Sequence, residues 1–219
     1  RFVAQLRPKA IILENVPALR LDERMDVIRD RLSQLGYWFD DRLVDAEDYG
    51  VPQRRRRMML IAVTRGKVWL PIQAGMRRRT VRDAIGDLAS PDDTDDPLHV
   101  AEERRTERIR RLIDRVPRDG GSRRDLPEDM QLECHKRTDG FKDVYGRMAW
   151  DKPAPTLTGG CVNPSKGRFL HPEHNRAITL REATLLQGFP GDYQISLRRG
   201  KFAAADLIGN ALPPLLAKL

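Results

Sequence analysis

The hydrophobic pattern begins with four consecutive apolar residues, Ala10-Ile11-Ile12-Leu13. A run this short and this continuous predicts a buried strand. Leu21, Met25, Ile28, Leu32 and Leu35 then recur at helical spacing, and Gly36 offers a stop. Tyr37 to Val44 reads as a second strand, Asp48-Tyr49-Gly50-Val51-Pro52 as a turn, and Met58 to Val63 as a third strand. The third is apolar at successive positions, as expected for a sheet covered on both faces. Strand, helix and further strands in this order predict an α/β sheet.

Beyond the strands the periodicity changes. Thr80 introduces a short helix with Val81, Ala84, Ile85 and Leu88 on one face, and the acidic, polar stretch Ser90 to Pro97 reads as a boundary. Residues 98–178 mix charge runs, paired glycines and prolines. Only Ile109, Leu112, Ile113 and Val116 suggest a helix there, so the stretch reads as a loop-rich insertion or small domain. Thr179-Leu180-Arg181-Glu182 is a capping box, which predicts a helix from Leu180 to Gln187. Phe202 to Ile208 and residues 214–219 look helical, separated by a turn at Gly209-Asn210. These breaks divide the chain into 1–90, 91–178 and 179–219.

The length of 219 residues allows one large domain or two small ones. A net charge of +8, supplied mostly by arginine, raises the expectation of a nucleic-acid partner, because arginine forks match phosphates and guanine edges. No apolar run is long enough to span a membrane, and no signal peptide is visible. The first residue is not Met, which suggests a fragment or a processed chain. Cys134 and Cys161 lack the spacing of a metal knuckle and read as reduced thiols. His135, His171 and His174 read as hydrogen-bonded surface histidines, so no metal is expected.

Several residues could carry chemistry. Glu14 falls at the carboxyl end of a strand, where open α/β sheets bind ligands. A carboxyl group partly buried at such an edge is held protonated more easily than in water, which suits a general acid; the alternative is an ordinary polar strand end. Arg54 to Arg57 lead into a strand, so Arg55 and Arg57 share one face and Arg54 and Arg56 the other. Four adjacent cations call for an anion or a carboxylate partner. The Asn210 amide could bond a ligand. In the segment from Tyr145-Gly146-Arg147 to His171-Pro172, Thr156, Lys166 and Arg168 stand in turns that could approach a DNA backbone or groove, or form an unremarkable surface loop.

Glu14-Asn15-Val16, Tyr49-Gly50-Val51-Pro52-Gln53 with Arg55 and Arg57, Thr156-Leu157, Arg181-Glu182, Gln187-Gly188-Phe189-Pro190 and Gly209-Asn210-Ala211 follow one another in an order that resembles the back half of a DNA cytosine-5 methyltransferase. The resemblance runs from about Arg7 to Leu216, apart from a variable stretch near 90–140. It implies the back half of a Rossmann-like methyltransferase sheet, with a small target-recognition domain at 91–178 inserted before a bracing helix that carries Arg181 and Glu182. It implies S-adenosylmethionine as cofactor, with Asn210 and Ala211 in its pocket, and double-stranded DNA as partner.

By the same resemblance, a cysteine thiolate adds to carbon 6 of a flipped cytosine. Glu14 protonates ring nitrogen 3. Arg57 holds the oxygen on carbon 2, and Arg55 orders the site or holds a phosphate. Gln53, Arg147, Thr156, Leu157, Lys166 and Arg168 are the implied DNA-binding residues. Two features depart from the family's pattern: there is no Pro-Cys dipeptide and no glycine-rich cofactor loop before Glu14. The chain alone is therefore expected to be inactive, either as a truncation or beside a second polypeptide that carries the front half. The expected setting is the bacterial cytoplasm, at the nucleoid, in a restriction-modification system. A non-catalytic DNA-binding module of this family and an RNA cytosine-5 methyltransferase are the alternatives; the long insertion with its Thr-Leu pair favours duplex DNA.

Overall fold

The computed structural model describes residues 1–71, 76–101, 105–132 and 143–218. A short helix α1 (Phe2–Leu6) precedes β1 (Ala10–Asn15), α2 (Glu23–Gln34), β2 (Trp38–Asp45) and β3 (Arg56–Val63). Asp22 caps α2 by accepting the Arg24 backbone N–H. Beyond the helix end, Gly36 sits at φ 79°, where glycine is least strained.

β3 lies in the middle of the sheet and pairs antiparallel with both β1 and β2. β1 and β2 therefore run parallel to each other, with α2 on the connection between them. The continuous apolar character of β3 has a direct cause. Met58, Leu60 and Ala62 pack with Met25, Leu32 and Tyr37 on the α2 side. Met59 and Ile61 face the other way and meet Leu212, Leu215 and Leu216, which return from the end of the chain. Both faces are covered, as the pattern predicts. The fold is α/β, with a small sheet whose described pairings are antiparallel.

The remaining helices among the described residues are α3 (Val81–Ile85), α4 (Glu107–Arg115), α5 (Leu180–Leu186), α6 (Lys201–Asn210) and α7 (Pro214–Ala217). The Thr179–Glu182 capping box forms at α5 with both reciprocal bonds, and Thr80 with Asp83 does the same at α3. Between α4 and α5 the described residues hold only short 3-10 turns and isolated bridges.

Two cores organise this half. One joins Val81 and Ile85 to Met148, Ala154, Leu157 and Phe169, and these to Leu180, Ala183, Leu186, Ala204 and Ile208. The other joins Leu112, Ile113 and Val116 to Leu126, Val144, Tyr145 and Leu170. The division at 178/179 read from the sequence thus crosses the first core: Met148, Ala154, Leu157 and Phe169 pack on α5 and α6, while the second core lies wholly within 91–178.

The turn expected at Gly209-Asn210 is instead the last part of α6. Glycine is a poor helix residue, but here a side chain has no room. A Cβ on Gly209 would lie 2.2 Å from the carbonyl carbon of Thr158.

Candidate active site and DNA-facing cleft

Register places the first pair of functional side chains. Glu14 of β1 lies opposite Met59 of β3, and residues directly opposite on antiparallel strands project to the same face. Arg57 is two residues from Met59 and shares that face. It reaches diagonally to Glu14, with Arg57 Nε 2.9 Å from Glu14 Oε1. The pair is only partly exposed, 14% for the Arg57 side chain and 25% for that of Glu14. Glu14 is the penultimate residue of β1, at its carboxyl end and partly buried as expected, and the register brings a guanidinium beside it.

The alternation read along Arg54 to Arg57 holds. Arg54 and Arg56 are exposed, Arg55 is buried and Arg57 half-buried. Arg55 points away from solvent and donates to Leu157 O and Gly209 O, both at 3.0 Å. Burial, and then the nearby charge of Arg57, push its pKa down to about 10, with Glu14 offsetting part of the shift. Two carbonyls hold its terminal nitrogens, while its Nε is buried without a hydrogen-bond partner among the described residues, so the side chain ties two backbone segments together instead of reaching out to a phosphate.

The residues expected to read DNA separate into two sets. Gln53, Arg147 and Leu157 have no solvent exposure, and direct DNA contact is corrected for all three. The Gln53 side chain bonds Leu157 N, Leu186 O and Gln187. Arg147 donates to Ile113 O and Val116 O at the end of α4, to His171 O and His174 O, and to Asn175 Oδ1. It pins the second core, and burial pushes its pKa down to about 10. Arg168 is also committed, to Asp143 and to the carbonyls of Gly120, Gly121 and Arg147.

Thr156, Lys166 and the partly exposed Arg168 nevertheless line one cleft of about 310 Å³, with Asp143, Pro155 and Thr158. Lys166 is exposed, and the Thr156 hydroxyl donates to Arg54 O at 2.7 Å. That last bond ties the cleft to the arginine run. A larger cleft of about 510 Å³, lined by Arg105, Arg110, Arg111 and Arg176, holds none of the candidate site residues read from the sequence.

Arg181 and Glu182 are buried. Arg181 pairs with Asp96 and donates to Tyr193 O, and Glu182 takes both arms of Arg176 as well as the Thr179 N–H. Asn210 is exposed at the end of α6, and Ala211 is half-buried with its carbonyl held by Gln187 Nε2 at 2.7 Å.

Compared with known proteins, the whole chain, residues 1–219, matches the family described as C-5 cytosine-specific DNA methylase. The chain belongs to that family. It is 41% identical to the Type II methylase M.HgiDII of Herpetosiphon aurantiacus, over all of this chain and 65% of that protein. It is 32% identical to the Type II methyltransferase M1.BsuMI of Bacillus subtilis, over all of this chain and 52% of that one. This methylase-family chain thus spans about half to two-thirds of the length of these curated relatives. Among solved structures, a prophage-encoded candidate DNA modification methyltransferase of E. coli superposes with a TM-score of 0.62 at 24% identity, covering all of this chain and 69% of that one. The S. pombe Dnmt2 methyltransferase gives 0.54 at 18% identity, covering 96% and 64%. These two likenesses are of fold.

Two buried polar residues were given no individual role from the sequence. Gln187 is fully buried and bridges Gln53 to Ala211; its place in Gln-Gly-Phe-Pro was the available signal. Buried His99 bonds Thr179 Oγ1 and Ala89 O, and nothing in its local sequence marks it.

His171 is corrected from surface to buried. Its Nδ1 accepts the backbone N–H groups of Glu173 and His174, and burial first of all pushes its pKa down to about 3. His174 is exposed. Cys161 is fully buried, and burial pushes its thiol up to about 12. Cys134 and His135 lie outside the described residues. No helix among the described residues is long and apolar enough to cross a membrane.

Proposed function

We propose that this chain is the portion of a DNA cytosine-5 methyltransferase that holds the target base and reads the DNA around it. The Glu14–Arg57 pair carries this reading. Cytosine presents two adjacent acceptors, nitrogen 3 and the oxygen on carbon 2. A carboxyl group and a guanidinium standing side by side match that edge when the base replaces their mutual contact. Glu14 then bonds nitrogen 3 and delivers a proton to it, and its second oxygen accepts from the exocyclic amine. Arg57 remains on the oxygen and stabilises the charge that gathers there as carbon 6 is attacked. The base reaches the pair only after leaving the duplex.

The attacking thiolate comes from outside the described residues, since the buried, high-pKa thiol of Cys161 is a poor nucleophile. S-adenosylmethionine supplies the activated methyl group. The exposed amide of Asn210, next to the fixed backbone of Ala211, fits one rim of a site for it.

The three-stranded sheet is read as one side of a larger Rossmann-like sheet. β1 is an edge among the described strands, and exposed apolar side chains surround that end of the molecule: Phe2 and Leu6 on α1, Ile12 in β1, Val16 and Leu21 after it. An open strand edge with such neighbours invites further strands. We assign that place to the cofactor-binding half of the enzyme, in the same polypeptide or in a second one. Residues 91–178 are the target-recognition domain, and Thr156, Lys166 and Arg168 line its DNA-facing cleft. The substrate is bacterial double-stranded DNA, met in the cytoplasm at the nucleoid within a restriction-modification system.

The test is transfer of labelled methyl groups to plasmid DNA by the complete gene product, followed by bisulfite mapping. The reading expects 5-methylcytosine at one recurring sequence. Methylation of RNA alone, or DNA binding without methylation, refutes it. Purified residues 1–219 are expected to transfer no methyl groups unaided.

A further inference from the structure

Four segments that lie far apart in sequence close into one buried ring of hydrogen bonds. The Leu157 N–H donates to Gln53 Oε1 at 3.1 Å. Gln53 Nε2 donates to Gln187 Oε1 at 2.5 Å, and Gln187 Nε2 donates to Ala211 O at 2.7 Å. Two residues back from Ala211, Gly209 O accepts from Arg55 Nη2, and Arg55 Nη1 returns to Leu157 O. Leu157 is thus held by both its backbone groups. Gln53, Leu157 and Gln187 have no solvent exposure, and Arg55 has 2%. The side chains that make these bonds are buried, so a donor or acceptor that loses its only partner here is not simply rehydrated.

The ends of the ring are the two surfaces on which the proposed function depends. Asn210 and Ala211 form the cofactor rim, and Thr156 and Thr158, which flank Leu157, line the DNA-facing cleft. Gln187 itself is buried behind both. Closely packed interiors pass a displacement on rather than absorb it.

We infer that Gln187 is a positioning residue that couples the cofactor rim to the DNA-facing segment, so that a ligand at one end strengthens binding at the other. The inference rests on the proposed function and adds to it a route between the two ligands. The coupling is reciprocal, because it is a property of the ternary complex.

The experiment uses the complete methyltransferase and S-adenosylhomocysteine as probe. Its affinity is measured by calorimetry with and without a duplex carrying the mapped methylation site. The ratio of the two affinities is the coupling, which for linked sites generally spans about 5- to 150-fold. Gln187→Met removes both ring bonds made by Gln187, while Gln53 Nε2 keeps a second acceptor, Leu186 O at 3.3 Å. The ratio is expected to fall to near 1, and the affinity for each ligand alone to change by less than the ratio does.

Thr184→Val is the control for simple destabilisation. Thr184 lies on α5, whose end Gln187 caps, is fully buried, and donates to Arg181 O outside the ring; the wild-type ratio should survive there. If Gln187→Met fails to fold, Arg55→Lys opens the opposite side, because an ammonium lacks the two-armed fork, and the same fall is expected. A wild-type ratio of 1, a folded ring-broken variant with an unchanged ratio, or an equal fall in Thr184→Val overturns the inference. A wild-type enzyme that binds neither S-adenosylhomocysteine nor DNA instead removes the proposed function, and the coupling with it.

Discussion

Substituting Gly209 with alanine tests the contact on which the site's geometry turns. A Cβ at this position lies 2.2 Å from Thr158 C, 2.4 Å from Gly159 N and 2.5 Å from Thr158 O. All three are backbone atoms, so no side-chain rotation relieves the overlap. Either α6 or the 158–159 segment must move, and Arg55 holds both through Gly209 O and Leu157 O. Overpacking of this kind costs about 1–3 kcal/mol. Alanine's better helix propensity returns at most about 1 kcal/mol, and less near a helix end. The overlap wins, leaving a net loss of about 1–2 kcal/mol.

At roughly 2–4 °C per kcal/mol for a domain of this size, Tm should fall by about 2–8 °C. Gly191→Ala is the matched control. Its added Cβ meets nothing within 4 Å, so the change should stay within about 0.5 kcal/mol. Thermal unfolding of both variants followed by circular dichroism makes the comparison. A Gly209→Ala protein as stable as Gly191→Ala would mean that α6 does not press on Thr158 in solution, and the buried ring would lose its frame.

Three further outcomes follow from the geometry. Arg57→Ala should lower turnover by about tenfold or more, as loss of a charge-stabilising donor does, while Arg54→Ala and Arg56→Ala, on the exposed side of the run, should matter less; steady-state kinetics with equal losses at every arginine would reduce the run to a diffuse phosphate-binding charge. The folded protein keeps His171 neutral down to about pH 3, whereas an unfolded chain protonates it near pH 6.5, so stability should fall as pH drops through that window. His171→Asn, which can still accept backbone N–H groups, should flatten the dependence, and denaturant titrations with identical slopes for both proteins would contradict this. Exchanging residues 91–178 for those of a relative should move the methylated sequence to the relative's, as bisulfite mapping would read; a folded, active chimera that keeps the original site would place specificity elsewhere.

The features legible in the sequence were those with a local cause. Alternation along a strand put Arg55 and Arg57 on one face, and the structure agrees. The Thr179–Glu182 box predicted both the start of α5 and its two capping bonds. The apolar run of β3 predicted a sheet covered twice, because a strand half in water alternates instead.

Residues whose partners lie far along the chain were misread. The family resemblance put Arg147 and Gln53 among the DNA-binding residues. Carbonyls and amides up to 134 positions away satisfy them instead, and a side chain so satisfied leaves no local signature. Gly209-Asn210 looked like a turn because glycine weakens helices, and the reason for the helix lies at Thr158, some 50 residues earlier. Glu14 was found, but its pairing with Arg57 required the register of β1 on β3, which no composition or spacing specifies.

The central claim is that Glu14 works on the base and not on the fold or on DNA affinity. The direct measurement is single-turnover methyl transfer by the complete enzyme carrying Glu14→Gln, alongside its DNA affinity. The amide keeps size and hydrogen bonding but cannot deliver the proton, and general acid catalysis is worth roughly 100- to 10,000-fold. A loss of that order in the methyl-transfer rate, with DNA affinity close to wild type, is the predicted result. A rate that is unchanged, or that falls only as far as DNA binding falls, would contradict the account.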